Sequence, residues 1–492
     1  MTATMSVLFF SGWLDLSSVL IFLFVFLILV DLIKNKAPKN FPPGPPWSLP
    51  FVGDLFRIDS NRIHLQMFAK QYGNIFSIRI GQRIVVLNGL QLVKEALVEH
   101  GENFAVRPTV PLSEDITLDK GLVASGGYQW KQQRRFALST LRNFGLGKKS
   151  LESQIQVECR FLNDVIDKSQ GQPFEPISVV NNAVANIISC LVFGDRFDYS
   201  NSYFQRLLKL MNEAIYLEGS IWAQLYNMFP WLMRRLPGPH KKIFSHWAIV
   251  IDFVKLKIKE HKEDWDPSTP RDYIDRIAGV CFNTCFNEDN LCSCTLDLFA
   301  AGTETTSATL NWALLYMIKY PEIQEKVQAE IDKVLGPSHP ATMADRANMP
   351  YTDAVIHEIQ RMGNIIPLNV PRMAVKDTTI GGYTIPKGTM VMGTLQSVLF
   401  DESEWEAPFT FNPGHFLDEE GKFKRRDAFL PFSAGSRMCL GEPLARMELF
   451  LFFTSLLQQF TFFSPPGVEP TLEFKIGFTL QPKGYKLCAV PR

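Results

Sequence analysis

Cys439 closes a short stretch, Phe432-Ser-Ala-Gly-Ser-Arg-Met-Cys-Leu-Gly441, that runs directly into a helical pattern over 442–459. A thiolate is both a nucleophile and a soft metal ligand. Placed ahead of a helix, it meets unpaired N–H groups that favour negative charge. The plain alternative is an inert buried cysteine. A second stretch, Ala301-Gly302-Thr303-Glu304-Thr305-Thr306, lies inside a helical run over 291–318. Threonine hydroxyls there can bond back to the helix and open a notch beside a ligand, although a helix merely weakened by glycine and threonine reads the same way. Glu358 and Arg361 stand three apart on a helical pattern, which at its simplest is a surface ion pair. Cys281, Cys285, Cys292 and Cys294 invite comparison with a zinc site. Their uneven spacing, with two of them entering a helix, instead reads as ordinary buried thiols.

These groups need a scaffold, and the apolar periodicity supplies mostly helices. The pattern predicts helices over 128–143, 151–168, 179–193, 203–217, 243–262, 291–318, 321–335, 351–362 and 442–459. A hairpin is expected at 75–89, and short strands at 378–393 and 470–490. The fold class is mainly α with small antiparallel β-sheets.

The chain has 492 residues, 46% of them hydrophobic, and its 50 lysines and arginines balance 50 aspartates and glutamates. That balance excludes a nucleic-acid partner. Eight scattered cysteines are too few for a disulfide scaffold. From Trp13 to Val30 the only charge is Asp15, no Lys or Arg comes before it, and Lys34, Lys36 and Lys39 follow. A cleaved signal peptide has the opposite layout, so an uncleaved anchor with the body on the cytosolic side is expected. Residues 1–33 form that anchor, 34–46 a basic and proline-rich hinge, and 47–492 one catalytic body. The apolar run at 225–235, ending in Arg234 and Arg235, reads either as core or as a second membrane contact.

The stretch ending at Gly441 resembles the ligand loop of the cytochromes P-450, Phe-x-x-Gly-x-Arg-x-Cys-x-Gly, at every specified residue. Within that family the chain is similar to the microsomal family-2 branch, and most to its J subfamily, through 141–149 and 362–371. The resemblance implies the cytochrome P-450 fold and haem b (iron protoporphyrin IX), with Cys439 as its axial iron ligand. Gly435 and Gly441 would let backbone pass close to a flat macrocycle. Arg437, Trp130, Arg134 and Arg372 would hold the haem propionates. Thr305 would line the oxygen-binding groove and Glu304 would feed protons to it. Glu358 and Arg361 would be a buried structural pair, with His415 in the third position. The chain departs from the family pattern at 274–290, where cysteines replace a longer amphipathic segment.

The same resemblance implies insertion of one atom of O2 into a lipophilic substrate. Electrons would come from a separate NADPH-cytochrome P-450 reductase, with cytochrome b5 as an auxiliary donor, at the endoplasmic reticulum membrane. Lys131, Arg135, Arg142 and Lys424-Arg425-Arg426 would form a basic docking face for the acidic reductase. The segments expected at the substrate pocket are apolar: Val110–Leu112, Leu298, Ala301, Ile365–Leu368 and Ile476–Phe478. They suit epoxidation or hydroxylation of fatty acids such as arachidonate, or oxidation of xenobiotics. A fatty carboxylate wants a cation near the entrance, but the 103–119 segment offers only Arg107, followed by Glu114 and Asp115, so no such anchor is evident. A non-catalytic haem- or lipid-binding membrane protein and a haem-thiolate isomerase remain as other classes, and the Glu304-Thr305 pair argues against both.

Overall fold

A computed structural model of the chain describes residues 16–34, 36–57, 65–144, 149–279 and 285–492. Helices dominate, and the nine expected from periodicity all form, each within three residues of its expected bounds. Their ends follow local chemistry. Asn287 caps the helix Glu288–Lys319 by accepting from Asn290 N–H at 3.0 Å. Gly194, at φ 69°, terminates Pro176–Phe193 in a conformation that a side chain would strain.

Glu288–Lys319 is the central helix. From Asn290 to Ile318 nearly every residue is buried, because other helices surround it. Its closest neighbour is Pro176–Phe193, apolar enough to cross a membrane but with 78% of its residues buried in the body. Gly302 makes the close approach possible: a Cβ there would lie 2.9 Å from Ile188 Cγ1. The expected notch is therefore not a break, and the helix runs unbroken through Ala301–Thr306. The ligand-loop helix, Glu442–Gln459, also packs on the central helix, and Thr306 donates a hydrogen bond to buried Glu448.

The sheets are small. Ile75–Ile80 and Gln82–Leu87 form the expected hairpin, in register from Ile75↔Leu87 to Ile80↔Gln82. Met390–Gly393 joins it in parallel, and Arg372–Met373 pairs antiparallel on the far side. Three two-stranded antiparallel pairs complete the β-structure among the described residues. One of them, Phe460–Phe463 with Cys488–Pro491, begins as soon as the ligand-loop helix ends.

Leu16–Lys34 is a separate apolar helix with almost all of its side chains exposed. The proline-rich segment after it lies along the body: Ser77 N–H donates to Pro43 O at 2.7 Å and Thr384 N–H to Asn40 O at 2.8 Å. Of the atypical 274–290 segment, Tyr273–Ala278 is a short helix capped by Asp272. Cys281 and its neighbours 280–284 lie outside the described residues. Cys292 and Cys294 are buried in the central helix, and the Cys294 thiol donates to Gln133 Oε1 at 3.4 Å. No cysteine shares a metal-type cluster among the described residues.

Candidate active site

The loop before Glu442–Gln459 is tightly folded. Gly435 takes φ 74°, and a Cβ on it would lie 1.7 Å from Leu97 O, so only glycine fits. Cys439 N–H donates to Phe432 O at 2.9 Å, which closes the loop on itself. The backbone N–H groups of Gly441 and Glu442 bond to the sulfur. The thiol is reachable by solvent yet ringed by protein, as in the wall of a slot. That enclosure raises its pKa, while the two amides and the Arg134 charge oppose the rise.

Four guanidiniums converge beside this loop. Arg437 Nε donates to Ala105 O at 2.8 Å and Nη1 to Leu122 O at 3.2 Å, and its plane lies 3.7 Å from the centre of the Trp130 ring. Arg134 Nη2 donates to Met438 O at 2.6 Å. Arg372 is 3% exposed, at the start of its short strand. The fourth is Arg107, whose Nη1 donates to Val370 O at 2.7 Å and Pro371 O at 2.8 Å. Burial and mutual repulsion lower all the strongly buried ones: Arg437 falls to about 9, Arg372 to about 10, and Arg107 well below its usual value. No carboxylate pairs with any of the four among the described residues. Trp130 Nε1 and Arg372 Nε are buried with no acceptor. Such a cluster fits a buried group that carries two carboxylates, which would supply the missing charge and acceptors. A haem with its propionates has that chemistry.

The family model for cytochrome P450 matches residues 42–489. The chain belongs to the cytochrome P450 family. Human cytochrome P450 2J2 is 54% identical over 476 residues, covering 95% of this chain and 94% of the relative. Mouse cytochrome P450 2J5 is 51% identical, covering 97% of each chain. Mouse cytochrome P450 2D10 is 44% identical, covering 96% of this chain and 97% of the relative. The protein is thus a P450 monooxygenase whose cofactor is haem b.

The other expected residues of this P450 divide by the face of the central helix they occupy. Ala301 is exposed and Asp297 and Thr305 are half-buried, while the residues around them are covered. These three stand four apart, so they form one stripe along an otherwise buried helix, the wall of an internal slot. Thr305 Oγ1 donates back to Ala301 O at 2.8 Å. Glu304 faces elsewhere. Its Oε1 accepts from Thr479 Oγ1 at 2.7 Å and from Gln481 Nε2, while Oε2 is buried without a partner. Burial raises the pKa of its carboxyl. Leu298, three residues before Ala301 on the same helix, is buried in the core cluster. Asp297 occupies the slot face, accepting from Leu122 N–H at 2.6 Å and Val123 N–H at 2.9 Å, with burial raising its carboxyl to about 7. Glu448, on the second turn of the ligand-loop helix, touches Thr306 on the central helix.

Two of the expected apolar segments meet: Leu480 N–H donates to Ile365 O at 2.8 Å, and Phe478 N–H to Ile215 O, drawing a third stretch to them. Arg107 was missed as a member of the cradle because a lone arginine between apolar residues carries no sign of what lies beside it. Its backbone bonds also remove it as a ready partner for a fatty carboxylate. Arg234 is ion-paired with Asp115 at 2.7 Å instead of standing free for a lipid headgroup. On the expected docking face, Lys131, Arg135, Arg142, Lys424 and Arg425 are exposed. Arg426 is turned inward over Trp405, 5.0 Å from the ring centre. The Glu358–Arg361 pair is fully buried, with His415 Nδ1 at 3.2 Å from Glu358.

Proposed function

We propose that this P450 is a microsomal enzyme that places one oxygen atom of O2 in a lipophilic substrate. The other oxygen leaves as water, with both electrons coming from NADPH through a separate flavoprotein reductase. The observation that carries this reading is the cradle: four guanidiniums and an indole N–H without carboxylate partners, beside a thiol bonded by two amides. Cys439 Sγ holds the iron, and Arg437, Arg134, Arg372, Arg107 and Trp130 Nε1 hold the propionates. When bound, haem supplies O2 activation that a thiolate ligand promotes by pushing electron density onto the iron.

The chain's own part is orientation and proton supply. The apolar walls at Ile365–Leu368 and Ile476–Phe478 take substrate by area and exclude water. Thr305 Oγ1, facing the slot, is placed to hold and pass a proton there. Glu304 is a reserve of protons one step behind it, reaching the slot only when its bonds to Thr479 and Gln481 open. The basic face of Lys131, Arg135, Arg142, Lys424 and Arg425 steers the reductase, and cytochrome b5 is a second candidate donor. Leu16–Lys34 anchors the protein in the endoplasmic reticulum membrane with the body cytosolic, and exposed Trp231, Leu232 and Leu236 give a second lipid contact.

The test is NADPH-driven turnover by the haem-loaded protein and reductase in lipid, under isotopic O2, with products identified by mass. Arachidonate and neutral xenobiotics form the two arms. Products carrying one labelled oxygen are expected. A correct haem spectrum with no oxygenated product in either arm would leave a non-catalytic binder. Epoxides from arachidonate support the fatty-acid reading, whereas oxidation of neutral lipophiles alone removes it.

Thr305→Ala is expected to keep its haem and consume NADPH, but to release peroxide in place of product. The yield of product per NADPH should fall at least tenfold, the lower end of what a positioned proton donor contributes being about a hundredfold. Thr305→Ser, which keeps the hydroxyl, should restore most of it. Equal coupling in Thr305→Ala and the native protein would remove the proton role.

A further inference from the structure

Asp31 is the one acidic residue in the apolar helix Leu16–Lys34. A carboxylate in such a segment is unfavourable unless something neutralises it. Here Arg79 Nη1 meets Asp31 Oδ2 at 2.8 Å, with the two side chains only 4% and 11% exposed. Arg79 belongs to the strand Ile75–Ile80, so the pair joins the apolar helix to the body. Its Nη2 donates to Leu49 O, and Asp54 accepts only its backbone N–H, at 2.8 Å. Among the described residues, Asp31 provides the only carboxylate paired with that guanidinium. Each charge is thus costly alone and neutral in the pair.

The chain is fastened a second time to the same strand face. Ser77 is two residues before Arg79, so their side chains point the same way. Ser77 N–H donates to Pro43 O at 2.7 Å and its hydroxyl to Pro42 O at 3.0 Å. Gly44 lies so close that a Cβ would be 2.1 Å from Ser77 O. Chain leaving the strand face at Asp31 therefore returns to it at Pro42. On the helix itself only Ile28, Val30 and Asp31 are partly covered.

We propose that Asp31 and Arg79 form a fixed joint that holds the catalytic body at one orientation to the bilayer. The proposal rests on reading Leu16–Lys34 as the membrane anchor. Without the pair, residues 35–39 alone would link helix and body, and a flexible five-residue linker lets its ends wander by about 12 Å. The joint also aims the lipid-facing patch. Gly81, at the turn after the same strand, sits against Met228, two residues before the short helix Pro230–Met233 that carries exposed Trp231 and Leu232. Anchor end and patch lie at one end of the body, so a rigid joint keeps the patch pressed to lipid.

The experiment uses the full-length, haem-loaded protein in lipid nanodiscs. Nitroxide labels on encoded ketone residues at Leu20, in the helix, and Glu402, on the body, report their separation by pulsed electron resonance. The native protein should give one narrow distance distribution. Asp31→Asn, which changes no residue of the folded body, should broaden it by on the order of 10 Å while the carbonyl spectrum is unchanged. A distribution already broad in the native protein, or still narrow in Asp31→Asn, overturns the joint. Alkaline carbonate extraction reads the anchor separately. Release from membranes overturns the anchor reading and the joint with it, whereas retention with a narrow Asp31→Asn distribution overturns the joint alone.

Discussion

Cys439→His should lose haem or convert the reduced carbonyl complex from the red-shifted Soret band of a thiolate to that of an imidazole. The loop leaves little room for compensation. The N–H of Cys439 is tied to Phe432 O, Gly435 is wedged against Leu97 O, and two amides converge on the sulfur position. A ring at that position meets N–H donors placed for an anion, and a neutral imidazole cannot use them as a thiolate does. A thiol must lose its proton to ligate iron, so binding of the metal should release a proton. NADPH-driven turnover should disappear altogether. Absorbance of the reduced carbonyl complex and the ratio of haem to protein check this directly. A thiolate-type band surviving in the variant would move the ligand to another cysteine.

Glu358→Ala should be nearly as damaging through a different route. Arg361 Nε and Nη2 reach Glu358 at 2.8 and 2.7 Å, and its Nη1 donates to Leu399 O and Pro408 O. Glu358 also accepts from Asn412 N–H at 2.8 Å. Both side chains are fully buried, so removing the carboxylate strands a cation inside the protein. Breaking a buried pair in this way costs about 3–5 kcal/mol, a large share of the stability of a typical domain. Chemical denaturation followed by haem absorbance should show the midpoint falling sharply. Replacing Glu358 and Arg361 together by apolar residues of similar volume should recover part of the loss. A loss under about 1 kcal/mol in the single variant would mean that the carbonyls alone satisfy Arg361.

Much of this was legible in the chain before any coordinates. The helices follow from apolar residues at helical spacing, which is local information. The ligand loop is equally local: its cysteine, glycines and arginine fall within ten residues, and their chemistry depends on one another. The apolar start with lysines only on its far side is likewise a property of the chain alone.

Other features depended on distant neighbours. The central helix is buried on nearly every side and carries polar residues among the apolar ones, so its composition could not say which face lines the slot. Asp297 lies on that face although it is charged, and Glu304 turns from it toward Thr479 and Gln481. Periodicity has no phase to read when a helix is buried all round. The strand pairings of Gln82–Leu87 with Met390–Gly393 and of Phe460–Phe463 with Cys488–Pro491 join segments that no turn signal connects.

Charged residues show the division most clearly. Arg107, Arg234, Arg426 and Asp31 are each a plain charge in the sequence, and Arg426 was expected on a docking face, with lipid one of two readings for Arg234. In the folded protein Arg107 enters the cradle, Arg234 pairs with Asp115, Arg426 covers Trp405, and Asp31 meets Arg79. The sequence by itself determined which residues could do the chemistry and which stretches would be helical, since both follow from residue type and spacing. Only the tertiary structure decided which charges would be buried together, because the cost of burying a charge is set by partners that arrive from tens to hundreds of residues away.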